Sequence, residues 1–223
     1  MKWQVGQRPP GHRLVITWDE YLSSLVYMHK YGGIPSNGAA LPTCSGCGGH
    51  FHLLFQIDLA DSNLNYLKLD DLDYLFVLTC LNCASYEEPM YYRLEDKGQE
   101  IVVLQENPHM CVRQYPDILE EHFVSYRLLK DDEYPLSEYD LFRLLSQRRK
   151  HQLGGMPIWV QREEHVPCIT CNGEMEYIAM VDSELHIGES GFREQGHMFG
   201  DTGILYTFTC RRCGIFATKA QSF

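Results

Sequence analysis

The sequence predicts an α+β protein, rich in sheet and built as two copies of one helix-and-strand unit. Three observations predict it: four Cys-x-x-Cys pairs shared evenly between the halves of the chain, a repeated His-x-x-Gly-Gly-x-Pro segment, and runs in which apolar and polar residues alternate. A chain of 223 residues suits one sizeable domain or two half-size ones, and 44% hydrophobic with 22% charged residues is the composition of a chain that buries a core. No run approaches the ~18 apolar residues of a membrane-spanning helix.

The repeat sets the organisation. His29-Lys30-Tyr31-Gly32-Gly33-Ile34-Pro35 reappears as His151-Gln152-Leu153-Gly154-Gly155-Met156-Pro157, and each copy is followed by a Cys-x-x-Cys and then an Asp at one fixed distance, Cys47 to Asp58 and Cys171 to Asp182. The stretch from Tyr74 to Cys83 likewise mirrors that from Ile204 to Cys213. The chain therefore divides into an arm at 1–12, a first unit at 13–99, a connector at 100–133 and a second unit at 134–223. The two units are expected to pack about a pseudo-twofold, since each has one sheet face to cover.

Each unit opens with a predicted helix. Thr17-Trp18-Asp19-Glu20 reads as a capping box, with Trp18, Tyr21, Leu22, Leu25 and Met28 at helical spacing and Gly32 as the stop. In the second unit Pro135 and Ser137 start the helix, Leu141, Leu144 and Leu145 form its apolar face, and Gly154 ends it. His29 and His151 then fall at helix ends, where a capping or dipole role is expected. Beyond the Gly-Gly turns the period changes to two. Phe51, Leu53, Phe55 and Ile57, and likewise Met175, Tyr177, Ala179 and Val181, predict strands with one face inward. Residues 74–79 and 204–209 are apolar throughout and read as central strands. Met90 to Leu94 and Ile101 to Gln105 predict a hairpin around Asp96-Lys97-Gly98, while 117–130 fits either a capped helix or a strand from Phe123.

Eight of the nine cysteines are paired: Cys44 with Cys47, Cys80 with Cys83, Cys168 with Cys171, and Cys210 with Cys213. In a chain with no apolar leader at its start, which is expected to be cytoplasmic, such pairs point to metal rather than to disulfides. Four thiolates suit a tetrahedral, borderline-soft ion, so Cys44, Cys47, Cys80 and Cys83 are predicted to hold one zinc, and Cys168, Cys171, Cys210 and Cys213 a second. Gly48 and Gly214 fit the tight knuckles such sites use. Pairing between the copies, a redox role and plain buried thiols are the competing readings. Cys111 has no paired neighbour and is expected to be a buried structural thiol.

A site closed by four cysteines has no place for an activated water, so both ions are expected to be structural and the chain to have no catalytic residues. Known catalytic patterns agree. The chain has no His-x-Glu to complete a zinc deaminase around Cys168 and Cys171, no Gly-x-Ser-x-Gly elbow, no phosphate loop and no His-Glu-x-x-His. A formal charge of −11 argues against binding nucleic-acid backbone and for a basic protein partner. Candidate contact residues are Asp131, Asp132 and Glu133, with Trp159 as an apolar anchor; Asp70-Asp71-Leu72-Asp73 and Glu163-Glu164 are further acidic clusters. Solvated loops and a core tryptophan are the plainer reading of the same residues.

The run His151-Gln152-Leu153-Gly154-Gly155-Met156-Pro157-Ile158-Trp159-Val160-Gln161, followed by Cys168-x-x-Cys171, Met175 and Phe208-Thr209-Cys210, resembles the YwqG-like family, related to programmed cell death protein 2. The first copy departs from it at Pro35-Ser36-Asn37, where the family form is Pro-x-Trp. The resemblance implies a duplicated, β-rich fold without known catalysis. It also implies a chaperone- or adaptor-like protein that holds a basic ribosomal protein, or an immunity protein that masks a toxin. An enzyme of unrecognised type is the remaining alternative.

Overall fold

The computed structural model describes residues 8–17, 27–69, 71–83, 88–108, 111, 115–146, 150–187, 193–199 and 203–222, with the backbone alone for 185–187 and 193–196. Among them the fold is mostly β. The strands are β1 (Gly11–Thr17), β2 (Lys30–Tyr31), β3 (His52–Asp58), β4 (Tyr74–Thr79), β5 (Met90–Glu95), β6 (Glu100–Gln105) and β7 (His122–Leu128) in the first part of the chain. They continue as β8 (Gln152–Gly154), β9 (Glu176–Asp182), β10 (Glu184–Ile187), β11 (Arg193–His197), β12 (Gly203–Cys210) and β13 (Ile215–Ser222). Among the described residues there is one α-helix, α1 (Glu138–Leu145).

The expected α+β class is thereby corrected to mostly β. The first predicted helix, opening at Trp18, falls largely on 18–26, outside the described residues. The second is α1, and its start is where the sequence puts it: the Ser137 hydroxyl accepts from the Asp140 N–H at 3.1 Å, and Leu144 is buried. Its end differs. Neither Gly32 nor Gly154 stops a helix; each lies at the end of a short strand, β2 or β8.

β10 and β11 form a separate two-stranded ribbon, and the other strands make one antiparallel sheet in the order β4-β3-β2-β7-β1-β8-β9-β12-β13-β5-β6. Outward from the β7–β1 pair the order runs β2, β3, β4 on one side and β8, β9, β12 on the other, with β13, β5 and β6 beyond β12. Strands from the two halves thus interleave in one sheet, β1 between β7 and β8 and β5–β6 beyond β13, rather than packing as two covered sheets. The region 117–130 resolves as a strand because β1 and β2 both offer it free backbone edges, from Thr17↔Phe123 to His12↔Leu128 on one side and at Lys30 and Tyr31 on the other.

The sheet curls until β4, at one end, meets β5 and β13 near the other. The Tyr92 hydroxyl on β5 donates to the carbonyl of Phe76 on β4 at 2.6 Å, and the Thr218 hydroxyl on β13 donates to that of Leu78 at 3.2 Å. That closure buries β3 on both faces, so its polar residues need internal partners. Gln56 accepts from the Ser36 N–H and donates to the Met28 carbonyl, and His52 accepts from the Leu81 N–H while donating to the Pro116 carbonyl.

Both Gly-Gly turns lie in the left-handed region, Gly32 and Gly33 at φ +72° and +68°, Gly154 and Gly155 at +58° and +68°. The second residue of each pair donates its N–H to a distant carbonyl, Gly33 to Leu119 and Gly155 to Pro10. At Gly154 an added Cβ would also lie 2.5 Å from the Pro10 carbonyl oxygen and 2.4 Å from the Tyr66 ring.

His29 and His151 are not helix caps. Both are buried at the entry to β2 and β8. The Nδ1 of His29 accepts from the Asp58 N–H and its Nε2 donates to Asp61 at 3.2 Å; the Nδ1 of His151 accepts from the Asp182 N–H and its Nε2 donates to Glu184 at 3.1 Å. Burial pushes the His29 imidazole down against the pull of Asp61, which suits the neutral tautomer this pattern requires.

At the β1–β7 seam Arg13 and Arg127 stand directly opposite one another. Glu133 resolves the repulsion by accepting from Arg13 Nε at 3.1 Å, from Arg127 at 2.6 and 2.9 Å, and from the Lys130 N–H at 2.9 Å. Burial opposes its charge, but the Arg127 hydrogen bonds, the Lys130 N–H and the charge of Arg13 outweigh burial and hold its carboxyl at about 2.

Two predictions follow from these seams. Because Glu133 is depressed from an ordinary 4.5, its stabilisation is full above pH 4.5 and is lost as pH falls towards 2. Glu133→Gln should therefore destabilise the protein at pH 7 and flatten the acid limb between those values, read from urea unfolding at several pH values. Gly154→Val should cost about 1 to 3 kcal/mol from strain plus clash, whereas Gly38→Ala, at φ +82° with nothing within 4 Å of the added Cβ, should cost about 1 kcal/mol from strain alone.

Candidate metal centres

Each cysteine set is assembled by one antiparallel strand pair. Cys44 and Cys47 lie just before β3, and Cys80 and Cys83 just after β4; since β3 and β4 run antiparallel, the start of one meets the end of the other. β9 and β12 do the same for Cys168, Cys171, Cys210 and Cys213. The long stretches of chain between the cysteine pairs are thus taken up by strands and their connections.

The knuckles are built alike. Cys44 N–H donates to the Gly49 carbonyl at 2.8 Å and Gly48 N–H to that of Cys44 at 2.9 Å; Cys168 N–H donates to Gly173 and Asn172 N–H to Cys168, both at 2.8 Å. Cys83 N–H and Cys213 N–H donate to the carbonyls of Cys80 and Cys210, each at 3.1 Å. The left-handed position after the second cysteine is Gly48 at φ +70° in one set and Asn172 at +55° in the other, a role that asparagine fills with little strain. Gly214, at +62°, takes the same conformation after Cys213.

The four sulfurs of each set lie within 4.8 Å of one another, and Cys47–Cys80 and Cys171–Cys210 are each 3.7 Å apart. A regular tetrahedron with metal–sulfur bonds of ~2.3 Å has an edge of about 3.8 Å, so the donor sets fit a tetrathiolate ion. Their protonation chemistry agrees. The Gly173 N–H, with Cys213, Cys210 and Arg212, holds the Cys171 thiol down at about 6 against burial, while burial pushes Cys210 up to about 12. In the first set burial raises Cys80 and Cys83, while the Gly49 N–H and the neighbouring thiols outweigh burial and lower Cys47. Sulfurs so close resist ionising together, and a dication between them supplies the missing stabilisation.

Asn107 adds to the fit at the first set. Among the described residues its side-chain nitrogen is buried with no hydrogen-bond partner, and it lines a cleft of about 20 Å³ together with Cys44, Cys80 and Cys83. Metal-bound thiolates are acceptors of the kind that amide lacks. Each set can therefore hold one metal ion.

The other residues singled out in the sequence fall outside the two donor sets. Cys111, expected to be buried, is exposed, and its sulfur stands beside the first knuckle, 2.8 Å from where a Cβ on Gly46 would lie. Asp131 points its carboxylate to solvent and pairs with Arg8 at 2.6 Å; Asp132 is exposed; Glu133 is the buried seam residue described above. Trp159 is half-buried, its ring against Tyr206 at 4.6 Å and parallel to Phe208 at 6.3 Å, and it lines a groove of about 850 Å³. Asp131, Asp132 and Glu133 are absent from that groove's lining, which instead gathers Glu138, Glu163, Glu164, Glu174 and Glu176. Of these, sequence clustering marks Glu163 and Glu164 alone, because the others come from different elements.

The fold and these two centres define a mostly β protein with two tetracysteine sets, each able to hold a metal ion. No family model matches the chain. A stretch of 70 residues, 31% of the chain, is 37% identical to the uncharacterised protein YpfL of Salmonella typhimurium strain LT2, and it covers 14% of that protein's length.

Metal analysis of the purified protein is expected to find about two equivalents of a divalent metal per chain, with chelation lowering the melting temperature. Cys80→Ser should lose about one equivalent and destabilise strongly. Cys111→Ser should keep both and stay within about 0.5 kcal/mol of the parent, as an exposed surface change does. A folded, reduced and metal-free protein would overturn this expectation.

Proposed function

We propose that the chain is a zinc-stabilised, non-enzymatic, cytoplasmic protein-binding module, chaperone- or adaptor-like, that holds a basic protein. The observation that carries the reading is the closure of both metal-binding sets. Four sulfurs around each ion leave no position for substrate or activated water, so the ions brace the sheet and the surface does the work. A net charge of −11 gives that surface its sign.

In the same reading the chain is a duplicated unit of YwqG-like kind. The outward strand orders, the Gly-Gly turns, the His29 and His151 bonds and the paired knuckles all support it. The unit boundaries then shift. β1 and β7 are the first strands of their copies, and each is inserted beside the other copy's short strand, β1 against β8 and β7 against β2.

The test is affinity purification of the tagged chain from its native host, washed at low and at high salt. The expected result is a basic protein that is released as ionic strength rises, because the Debye length falls from about 10 Å at 0.1 M to about 3 Å at 1 M. A ribosomal protein among the released species favours chaperoning, and a toxin favours immunity. A neutral or acidic partner indifferent to salt would overturn the reading.

A further inference from the structure

We propose that the groove beside Trp159 is where the partner docks, and that its occupant is a basic segment of a protein chain carrying arginine or lysine next to apolar residues. The assignment rests on the reading of the chain as a binder of a basic protein and names the surface that performs it.

Charge is the first argument. The groove wall carries five glutamates, from α1, from the loop that follows Trp159 and from the entry to β9, and among its described lining residues there is no lysine, arginine or histidine. Two of the five are neutralised from outside, Glu164 by Lys219 at 2.9 Å and Glu176 by Arg211 at 2.7 Å. Glu174 holds the exposed His165 at 2.9 Å and raises its affinity for a proton. Glu138 and Glu163 are exposed and make no ion pair among the described residues. The wall therefore keeps a surplus of negative charge that phosphate backbones and anionic headgroups would meet with repulsion.

The second argument is what lies between those carboxylates. Trp159, Tyr177 and Phe208 line the groove, and both Trp159 and Tyr177 have ring contacts with Phe208. Aromatic faces rimmed by carboxylates suit a guanidinium or ammonium on an aliphatic stem, through cation–π attraction and burial of the methylenes. Third, the apolar surface continues past the groove. On α1 and just before it, Leu136, Tyr139 and Phe142 are 52%, 75% and 76% exposed, and Leu136 itself lines the groove. A small cation would leave that face uncovered, whereas a chain segment with apolar residues beside its cations covers both.

The probe is a fluorescein-labelled dodecapeptide of arginine and leucine, with its glutamate counterpart and free arginine as comparisons, followed by anisotropy at low and high salt on the zinc-loaded protein. The wild type should bind the arginine peptide, weaken with salt and ignore the glutamate peptide. Excess free arginine should compete weakly. Glu163→Lys and Glu138→Lys, both at exposed positions, should each weaken binding about tenfold or more with zinc content and melting unchanged. Glu100→Lys, an equal charge change on β6 and outside the groove, should stay within about twofold. If the wild type binds the peptide and the groove variants bind it equally well, the groove assignment is overturned while the basic-partner reading stands. If the wild type binds neither peptide, or free arginine competes as well as the peptide does, the segment-docking proposal is overturned; the absence of any binding counts against the basic-partner reading as well.

Discussion

Strand β1 gives both of its edges to the far half of the chain, pairing with β7 along one side and with β8 along the other. Backbone N–H and C=O groups on a central strand cannot be left unpaired, so the order of the whole sheet depends on this one strand finding two partners far away in sequence. The pairing places Arg13 directly across from Arg127, and the seam holds because Glu133, 120 residues from Arg13, reaches both. Two adjacent guanidiniums sharing a carboxylate form a charged network in which each member satisfies another. The same glutamate is withdrawn from the surface by that role.

From this seam the sheet extends to two strand pairs that carry the cysteine knuckles, β3–β4 and β9–β12. Each ion would tie the beginning of one strand to the end of its neighbour, a junction where ladder hydrogen bonds stop and a sheet would otherwise fray. The curl of the sheet adds a second closure, through Tyr92 and Thr218 on the carbonyls of β4. Burial on both faces follows, and it explains why so many polar residues of β3 sit in the core with bonded side chains. His29 and His151 belong to the same logic. Each ring bonds the backbone of the strand next to it and a buried acid beyond, holding a two- or three-residue strand that is too short to be secured by its ladder alone.

The surface that this frame presents is uneven. Negative charge gathers around the Trp159 groove because α1, the loop after Trp159 and the entry to β9 each contribute glutamates to one place. None of these carboxylates belongs to the cysteine sets, so the groove and the candidate metal centres draw on separate residues.

What the sequence alone determined was local. The paired cysteines are legible because a knuckle needs two sulfurs three residues apart; the Gly-Gly turns, because φ near +70° excludes most side chains; β4 and β12, because a strand buried on both faces is predominantly apolar; and the start of α1, because a serine hydroxyl three residues before an N–H caps it. What only the tertiary structure decided was pairing across distance. The strand character of 122–128 depends on free edges at β1 and β2, the roles of His29 and His151 on acids some thirty residues away, the burial of Glu133 on two arginines from different strands, and the groove on glutamates from separate elements. Spacing along a chain reports the period of one element. It carries no record of which other element that face or edge will meet, because that is settled by the packing of the folded sheet.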